Sequence, residues 1–210
     1  MNYIKEYPDY VYYNQIQKNM DGYHNFLDEV EEEAKNTQTE HGSIGFDDEQ
    51  KHDISIRNCS VKWLHSFNLR QKINDLFWLT NIENFGINIQ SAMEMQYTVY
   101  NGNNNNGEYY HWHADSGLLN RGSYVRKLTW ITLLTDSSEF EGGKLQIQSD
   151  DLTNPETKHE TFLHHTIPEE RFSKAGDTII FPSIKRHRVT PVTSGIRKTL
   201  VSWCYGPEWA

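Results

Sequence analysis

Three side chains of this sequence carry donor atoms in an arrangement that suits a metal ion. His113 and Asp115 stand two apart in Tyr109-Tyr110-His111-Trp112-His113-Ala114-Asp115, and His187 comes far downstream in Phe181-Pro182-Ser183-Ile184-Lys185-Arg186-His187. Two imidazoles and one carboxylate on one side of an octahedral ion leave adjacent positions open for a co-substrate and dioxygen, the arrangement of non-haem iron oxidation. The same donors accept zinc, which would activate water instead, and a chain with ten histidines makes some His-x-Asp pairs by accident. On these three residues alone, iron, zinc and coincidence all stand. On a strand, residues two apart share a face, so His113 and Asp115 can converge on one ion while Ala114 turns away. His187 comes after the strand-like run Asp177–Phe181, which Pro182 ends, and a strand lying beside that of His113 would present it as the third ligand.

The segment beyond His187 adds a fourth group. Ser194-Gly195 predicts a turn that sends the chain back, so that Arg197 returns near the metal. A guanidinium there can hold a carboxylate through two parallel hydrogen bonds, as an anchor for the far end of a dicarboxylate requires. Lys185, Arg186 and Arg188 flank His187 and offer either a basic entrance or solvated strand-edge charges.

The elements that must position these groups show in the hydrophobic pattern. From Tyr10 to Ala34, apolar Ile16, Met20, Tyr23, Leu27 and Val30 recur every three or four residues, which predicts one helix with a single buried face. The polar stretch from Lys35 to Asp53 reads as a long loop, suited to a substrate-side flap. Leu69, Ile73, Leu76 and Phe77 predict a second helix ending near Leu79. After Gly86 the period drops to two over Ile87, Ile89, Ser91, Met93, Met95, Tyr97 and Val99, which means strand. Short strand-like runs then continue to the C-terminus, predicting a mainly β sandwich or barrel with an α-helical buttress. Asn101-Gly102-Asn103-Asn104-Asn105-Asn106-Gly107 reads as a hairpin loop.

At 210 residues the chain is expected to form one domain, with residues 1–86 as a helical and loop lead-in and 87–210 as the catalytic core. Its net charge of −9 argues against a broad nucleic-acid-binding face, which needs cations to neutralise phosphates. No apolar run approaches the roughly 20 residues needed to cross a bilayer, and Met1–Glu6 opens no signal-peptide pattern, so a soluble cytoplasmic protein is expected. Two cysteines, Cys59 and Cys204, make no disulfide framework, and Cys204 in an apolar run reads as a core thiol.

The segment Gly107-Glu-Tyr-Tyr-His-Trp-His-Ala-Asp115 resembles the first metal motif of the iron and 2-oxoglutarate-dependent dioxygenases, specifically the prolyl 4-hydroxylase-like superfamily and its bacterial and phage members. Leu128–Thr135 and Glu141-Gly142-Gly143-Lys144-Leu145 are similar to the strand and Gly-Gly turn that come next in that family. Ala175–Pro182 with His187 and Arg197 resembles the second metal motif with its 2-oxoglutarate arginine. The resemblance covers roughly residues 87 to 205. It implies a double-stranded β-helix, or jelly roll, in which His113, Asp115 and His187 bind Fe(II) and Arg197 pairs with the distal carboxylate of 2-oxoglutarate. Tyr100 and Trp203 match positions that touch the co-substrate or line its pocket, and Thr199, on the face of Arg197, would add a hydroxyl to the carboxylate clamp. Collagen-modifying members carry Lys where this chain has Arg197 and several carry a tyrosine near Leu133, which points towards bacterial or oxygen-sensing relatives. The implied activity consumes dioxygen and 2-oxoglutarate, releases succinate and CO2 and hydroxylates an unactivated C–H bond, with ascorbate as a reductant and a prolyl residue of a peptide or protein as substrate. A small molecule or modified nucleobase as substrate, and a metal-binding jelly roll without turnover, are the alternatives.

Overall fold

In a computed structural model of the chain, the residues described are 8–43, 53–103, 107–116, 124–149, 163–168 and 171–209. They contain strands β1 (Val11–Tyr13), β2 (Glu40–His41), β3 (Arg57–Asn58), β4 (Ser60–Leu64), β5 (Ala92–Asn101), β6 (Glu108–His113), β7 (Val125–Leu133), β8 (Phe140–Gly142), β9 (Leu145–Ser149), β10 (Leu163–Thr166), β11 (Thr178–Pro182) and β12 (His187–Gly206). Three α-helices, α1 (Ile16–Asn19), α2 (Phe26–Asn36) and α3 (Phe67–Thr80), all precede β5, and a π-helical turn Asn81–Phe85 extends α3.

All pairings among these strands are antiparallel, and they form two sheets joined through β12. The major sheet runs β1-β11-β7-β12-β5-β4-β2. The minor sheet places β6 and β9 on either side of the first part of β12, with β3 beyond β6, β10 beyond β9, and β8 against the middle of β12. This is the mainly β jelly roll with helices on one flank. β12 changes sheets near Gly195, whose φ of +72° is open to glycine, so the predicted turn is a corner inside one long strand.

The two faces of the major sheet are both covered. Met95 and Tyr97 of β5, with Leu128 and Trp130 of β7 and Leu200 and Cys204 of β12, pack under Phe26 and Val30 of α2 and Ile73 and Phe77 of α3. Trp130 is the hub, with Phe77 edge-on at 5.7 Å between ring centroids. The period-two pattern over Met95, Tyr97 and Val99 therefore marks the helix-facing side, and the residues between them face the other way, into the roll. Residues 87–91 lie outside the strand, which starts at Ala92. The predicted second helix forms as α3, started by Ser66, whose side chain accepts from Leu69 N–H.

Two expectations are corrected. The single helix over Tyr10–Ala34 is instead β1, α1, a turn and α2, because a long-range partner outweighs local periodicity. The buried Asp177 carboxylate accepts from Gln15 N–H and Tyr12 OH on one oxygen and from Ser173 and Lys174 N–H on the other. That holds β1 against β11 and Gln15 in a left-handed conformation (φ 38°), and Gly22 at φ 83° breaks the run again. The strands on either side of the Asn-rich connector are not paired with each other as a hairpin requires: β5 pairs with β4 and β12, β6 with β3 and β12, and residues 104–106 lie outside the described residues. Of the proposed flap, residues 44–52 lie outside the described residues; α2 reaches Asn36, and Glu40–His41 pair with β4.

Candidate functional site

Antiparallel register sets His113, the last residue of β6, directly opposite His187, the first of β12. Their convergence comes from strand pairing alone. Asp115 lies just beyond the end of β6, so the expectation of a shared strand holds for His113 only. Asp115 is placed instead by the turn after β11: its N–H and that of Ser116 both donate to the Ser183 carbonyl, at 2.9 and 3.1 Å. One ligand atom from each of the three residues lies within 4.8 Å of the others. Asp115 Oδ1 is 3.4 Å from His113 Nε2, and Oδ2 is 3.5 Å from His187 Nε2.

The surrounding hydrogen bonds prepare these atoms for a cation. His113 Nδ1 meets the His111 carbonyl at 2.7 Å and His187 Nδ1 the Lys185 carbonyl at 3.1 Å. A carbonyl only accepts, so each ring carries its proton on Nδ1 and presents the bare Nε2 to the centre. Thr129 Oγ1 donates to Asp115 Oδ2 at 2.7 Å and is itself 3.0 Å from Ser183 Oγ. The ring of His113 lies stacked on Tyr110 (centroids 3.5 Å, 12°), and Phe181 meets His187 edge-on. Tyr110 and His113 are three apart yet share a face because two residues of β6 stand opposite one of β12, a bulge at His111 and Trp112.

Burial pushes the His187 imidazole down to about 4, with His113 adding to the effect. Burial alone works against an ionised Asp115, but the imidazoles of His187 and His113 and the more distant Arg126 outweigh it and hold the carboxyl well below the usual range. At neutral pH Asp115 is a carboxylate and the His187 ring is neutral, the protonation state that metal binding requires of them. The same protonation state makes the stability of the metal-free protein depend on pH. Unfolded His187 takes its proton near pH 6.5 and the folded residue not until about 4, so between these values the unfolded chain binds more protons. The His187 contribution to stability should be flat above 6.5 and fall by up to about 1.4 kcal/mol per pH unit between 6.5 and about 4. Thermal melts at pH 7.5 and 5 of the wild type and of His187→Gln check this, and an equal pH slope in the two contradicts it.

A cavity of about 190 Å³ opens on the three ligands. Rows of the major sheet line it: Tyr100 stands opposite Arg197, Thr98 opposite Thr199, and Gln96 opposite Val201. Arg197 is 1% exposed, and neither Nη1 nor Nη2 has a hydrogen-bond partner among the described residues. Its guanidinium lies over Tyr100 at 5.4 Å, and burial lowers its pKa to about 10. An orphaned buried fork of this kind fits an incoming carboxylate. Tyr100, opposite it, and Thr199, two residues along β12, line the same cavity. Trp203 lines the same cavity, but it stands six residues further along β12, roughly 20 Å at strand rise, and opposite Thr129, the support of Asp115. It lines the cavity beside the support of the metal cluster.

The Gly-Gly turn before β9 makes room for Arg197. A Cβ on Gly143 would sit 2.7 Å from Arg197 Cδ and 2.9 Å from Val192 Cγ2, at a φ of +59°. Gly143→Ala should therefore shift the arginine and weaken binding of a dicarboxylate such as 2-oxoglutarate several-fold, checked by calorimetric titration; an unchanged affinity would separate the turn from the arginine. The basic cluster beside His187 is engaged elsewhere: Lys185 pairs with Asp9 at 2.8 Å, and Arg188 donates to Gln146 and covers Trp112. Two cavity arginines, Arg57 and Arg126, were not apparent from the sequence, because what distinguishes them is their partners. Arg126 is bound by Glu94 at 2.6 Å and lies over the ring of Trp203 at 3.9 Å. Cys59 and Cys204 are buried free thiols. Among the described residues no helix is long and apolar enough to cross a membrane.

Residues 95–205 match the sequence pattern of the 2OG-Fe(II) oxygenase superfamily. A PKHD-type hydroxylase of Synechococcus sp. (strain CC9605) is 34% identical over 97 residues, 46% of this chain and 36% of the relative, so the match spans about a third of that protein's length. Among solved structures, the chain is similar to a prolyl hydroxylase from Trichoplax adhaerens in complex with a hypoxia inducible factor oxygen degradation domain peptide fragment, with a TM-score of 0.68, 15% identity, and coverage of 94% of this chain and 84% of that one. It is also similar to the non-heme alpha ketoglutarate dependent epimerase SnoN from nogalamycin biosynthesis, with a TM-score of 0.62, 13% identity, and coverage of 95% and 78%. At these identities the structural likeness establishes the fold.

Proposed function

The chain belongs to the 2OG-Fe(II) oxygenase superfamily, and from that premise we propose that it is an Fe(II)- and 2-oxoglutarate-dependent dioxygenase that hydroxylates a prolyl residue of a peptide or protein. The observation that carries this reading is the pair of Arg197 terminal nitrogens, without a partner among the described residues, in the cavity that also holds His113, Asp115 and His187. Zinc hydrolysis gives that arginine nothing to do. A dicarboxylate co-substrate does, because its distal carboxylate supplies the missing acceptor.

His113 Nε2, His187 Nε2 and a carboxylate oxygen of Asp115 would hold the iron, and Arg197 would orient 2-oxoglutarate, with Tyr100 and Thr199 closing the sides of its site. When bound, iron and 2-oxoglutarate supply dioxygen activation coupled to release of succinate and CO2, one oxygen atom entering the substrate. The protein contributes position and shielding. The carbonyls of His111 and Lys185 fix both imidazole tautomers, Thr129 fixes the carboxylate, and apolar Ile131, Val189 and Val201 line the cavity and exclude water from it. Trp203, beside Thr129 and under Arg126, would face the substrate.

The prolyl reading is supported by the prolyl hydroxylase similarity; a small-molecule substrate is the reading that the epimerase similarity would favour. Ascorbate is the reductant expected to sustain turnover, and the two free thiols suit a reducing compartment. The purified protein with Fe(II), 2-oxoglutarate and ascorbate, offered prolyl peptides and a metabolite extract separately, should release succinate and add one oxygen mass to a peptide. Oxygen gain confined to the metabolite arm would replace the prolyl substrate with a small molecule.

A further inference from the structure

Three arginines line the cavity, and they differ in what balances their charge. Arg126 has Glu94. Arg197 has no protein partner for either terminal nitrogen among the described residues, and the co-substrate carboxylate answers it. Arg57, on β3, is 7% exposed and hydrogen-bonded through all three nitrogens, but every partner is neutral: Nε donates to Cys59 Sγ at 3.1 Å, Nη1 to the Ser43 carbonyl at 3.0 Å and Nη2 to Gln96 Oε1 at 2.6 Å. No carboxylate among the described residues lies within ion-pair distance of it. Its guanidinium covers the Tyr110 ring at 4.6 Å, and that ring is stacked on His113. A fixed positive charge thus stands one aromatic ring away from a metal ligand.

The charge count of the loaded site makes this consequential. Fe(II) and Arg197 contribute three positive charges, and Asp115 with doubly ionised 2-oxoglutarate contributes three negative ones. Arg126 and Glu94 cancel. Among the described residues Arg57, 7% exposed, is left with no carboxylate at ion-pair distance, and a buried charge without one is costly. Nη1 and Nη2 of Arg57 each carry two N–H groups, and the bonds to Ser43 and Gln96 take one from each, so a donor remains on both. The cradle is also tight: a Cβ on Gly42 would fall 2.6 Å from Arg57 Nε and 2.7 Å from Cys59 Sγ. The geometry is that of a pre-positioned cation awaiting an anion.

We infer that Arg57 is a specificity-determining residue that receives a carboxylate of the substrate. This deepens the oxygenase reading and rests on it. The carboxylate has two sources, an acidic side chain next to the target residue in a peptide or the free carboxylate of a small substrate. Selection works through both attraction and rejection, since an amide in the same place leaves the buried charge unanswered.

The test uses the Fe(II)- and 2-oxoglutarate-loaded protein under anaerobic conditions, which holds it before turnover. Calorimetry would compare a prolyl pentapeptide carrying Glu beside the proline with its Gln counterpart, and N-acetylproline with N-acetylprolinamide. The wild type should prefer the acid over the amide in one pair by about tenfold or more, and the pair that shows it identifies the source. Arg57→Lys should keep the preference and Arg57→Gln lose it. Gln96→Glu leaves Arg57 in place and sets a carboxylate where Gln96 Oε1 now accepts, so it should also abolish the preference. No acid preference in either pair of the wild type, or a preference that persists in Gln96→Glu, overturns the inference. Succinate formation in air is read separately: turnover without acid preference removes only the role of Arg57, and acid preference without turnover removes only the oxygenase reading.

Discussion

Alanine in place of Asp115 is expected to reduce succinate formation from 2-oxoglutarate by more than about a thousandfold. Asp115 is the one anionic donor of the cluster, 6% exposed and held ionised by its neighbours. Without it, two neutral imidazoles would face a doubly charged ion in a buried site with no compensating charge. The effect should separate from that of its support. Thr129→Val removes the 2.7 Å hydrogen bond to Oδ2 while keeping the shape of the side chain, and should weaken Fe(II) binding by about 10- to 100-fold without abolishing turnover. Fe(II) titration and succinate assays on both variants check the pair, and wild-type turnover by Asp115→Ala would end the site assignment.

Arg197→Met should weaken 2-oxoglutarate binding by about a hundredfold or more and at the same time raise the melting temperature of the ligand-free protein. The two effects share one cause. Burial lowers the pKa of Arg197 from 12.5 to about 10, so the unfolded chain holds this proton more tightly than the folded one. Stability is lost as pH falls from 12.5 through about 10, and at neutral pH the whole cost is present. A methionine of similar length removes that cost along with the clamp. Melting curves with and without 2-oxoglutarate check both halves: the variant should melt higher than the wild type alone and gain little from added co-substrate. A lower melting temperature with undiminished co-substrate affinity would mean that the guanidinium has a protein partner and no clamp role.

The site was more legible in the chain than the lead-in to it, and the reason is range. His113 and His187 could be matched because strands present side chains at fixed periods and because Gly-Gly, Pro and Gly mark the turns between them. The second helix was legible for the same local reason, with Ser66 as its start. Tyr10–Ala34 misled because its helical period was real but weaker than the four hydrogen bonds of Asp177, a residue more than 160 positions away in the chain from Gln15 and Tyr12. Asp115 was found as a neighbour of His113, yet its placement depends on Ser183. Arg57 and Arg126 were silent for a related reason. Both are cations in strands, and only the fold shows that one meets the neutral amide of Gln96 and the other Glu94.

With His113, Asp115 and His187 holding iron beside an arginine that holds 2-oxoglutarate, the two ligands must bind as one unit. Anaerobic calorimetry of 2-oxoglutarate binding, with and without Fe(II), measures that coupling on the purified protein. Fe(II) should tighten 2-oxoglutarate binding by at least about tenfold, and Asp115→Ala should lose the enhancement while Arg197→Met loses binding in both conditions. Equal affinity with and without Fe(II) in the wild type would contradict it.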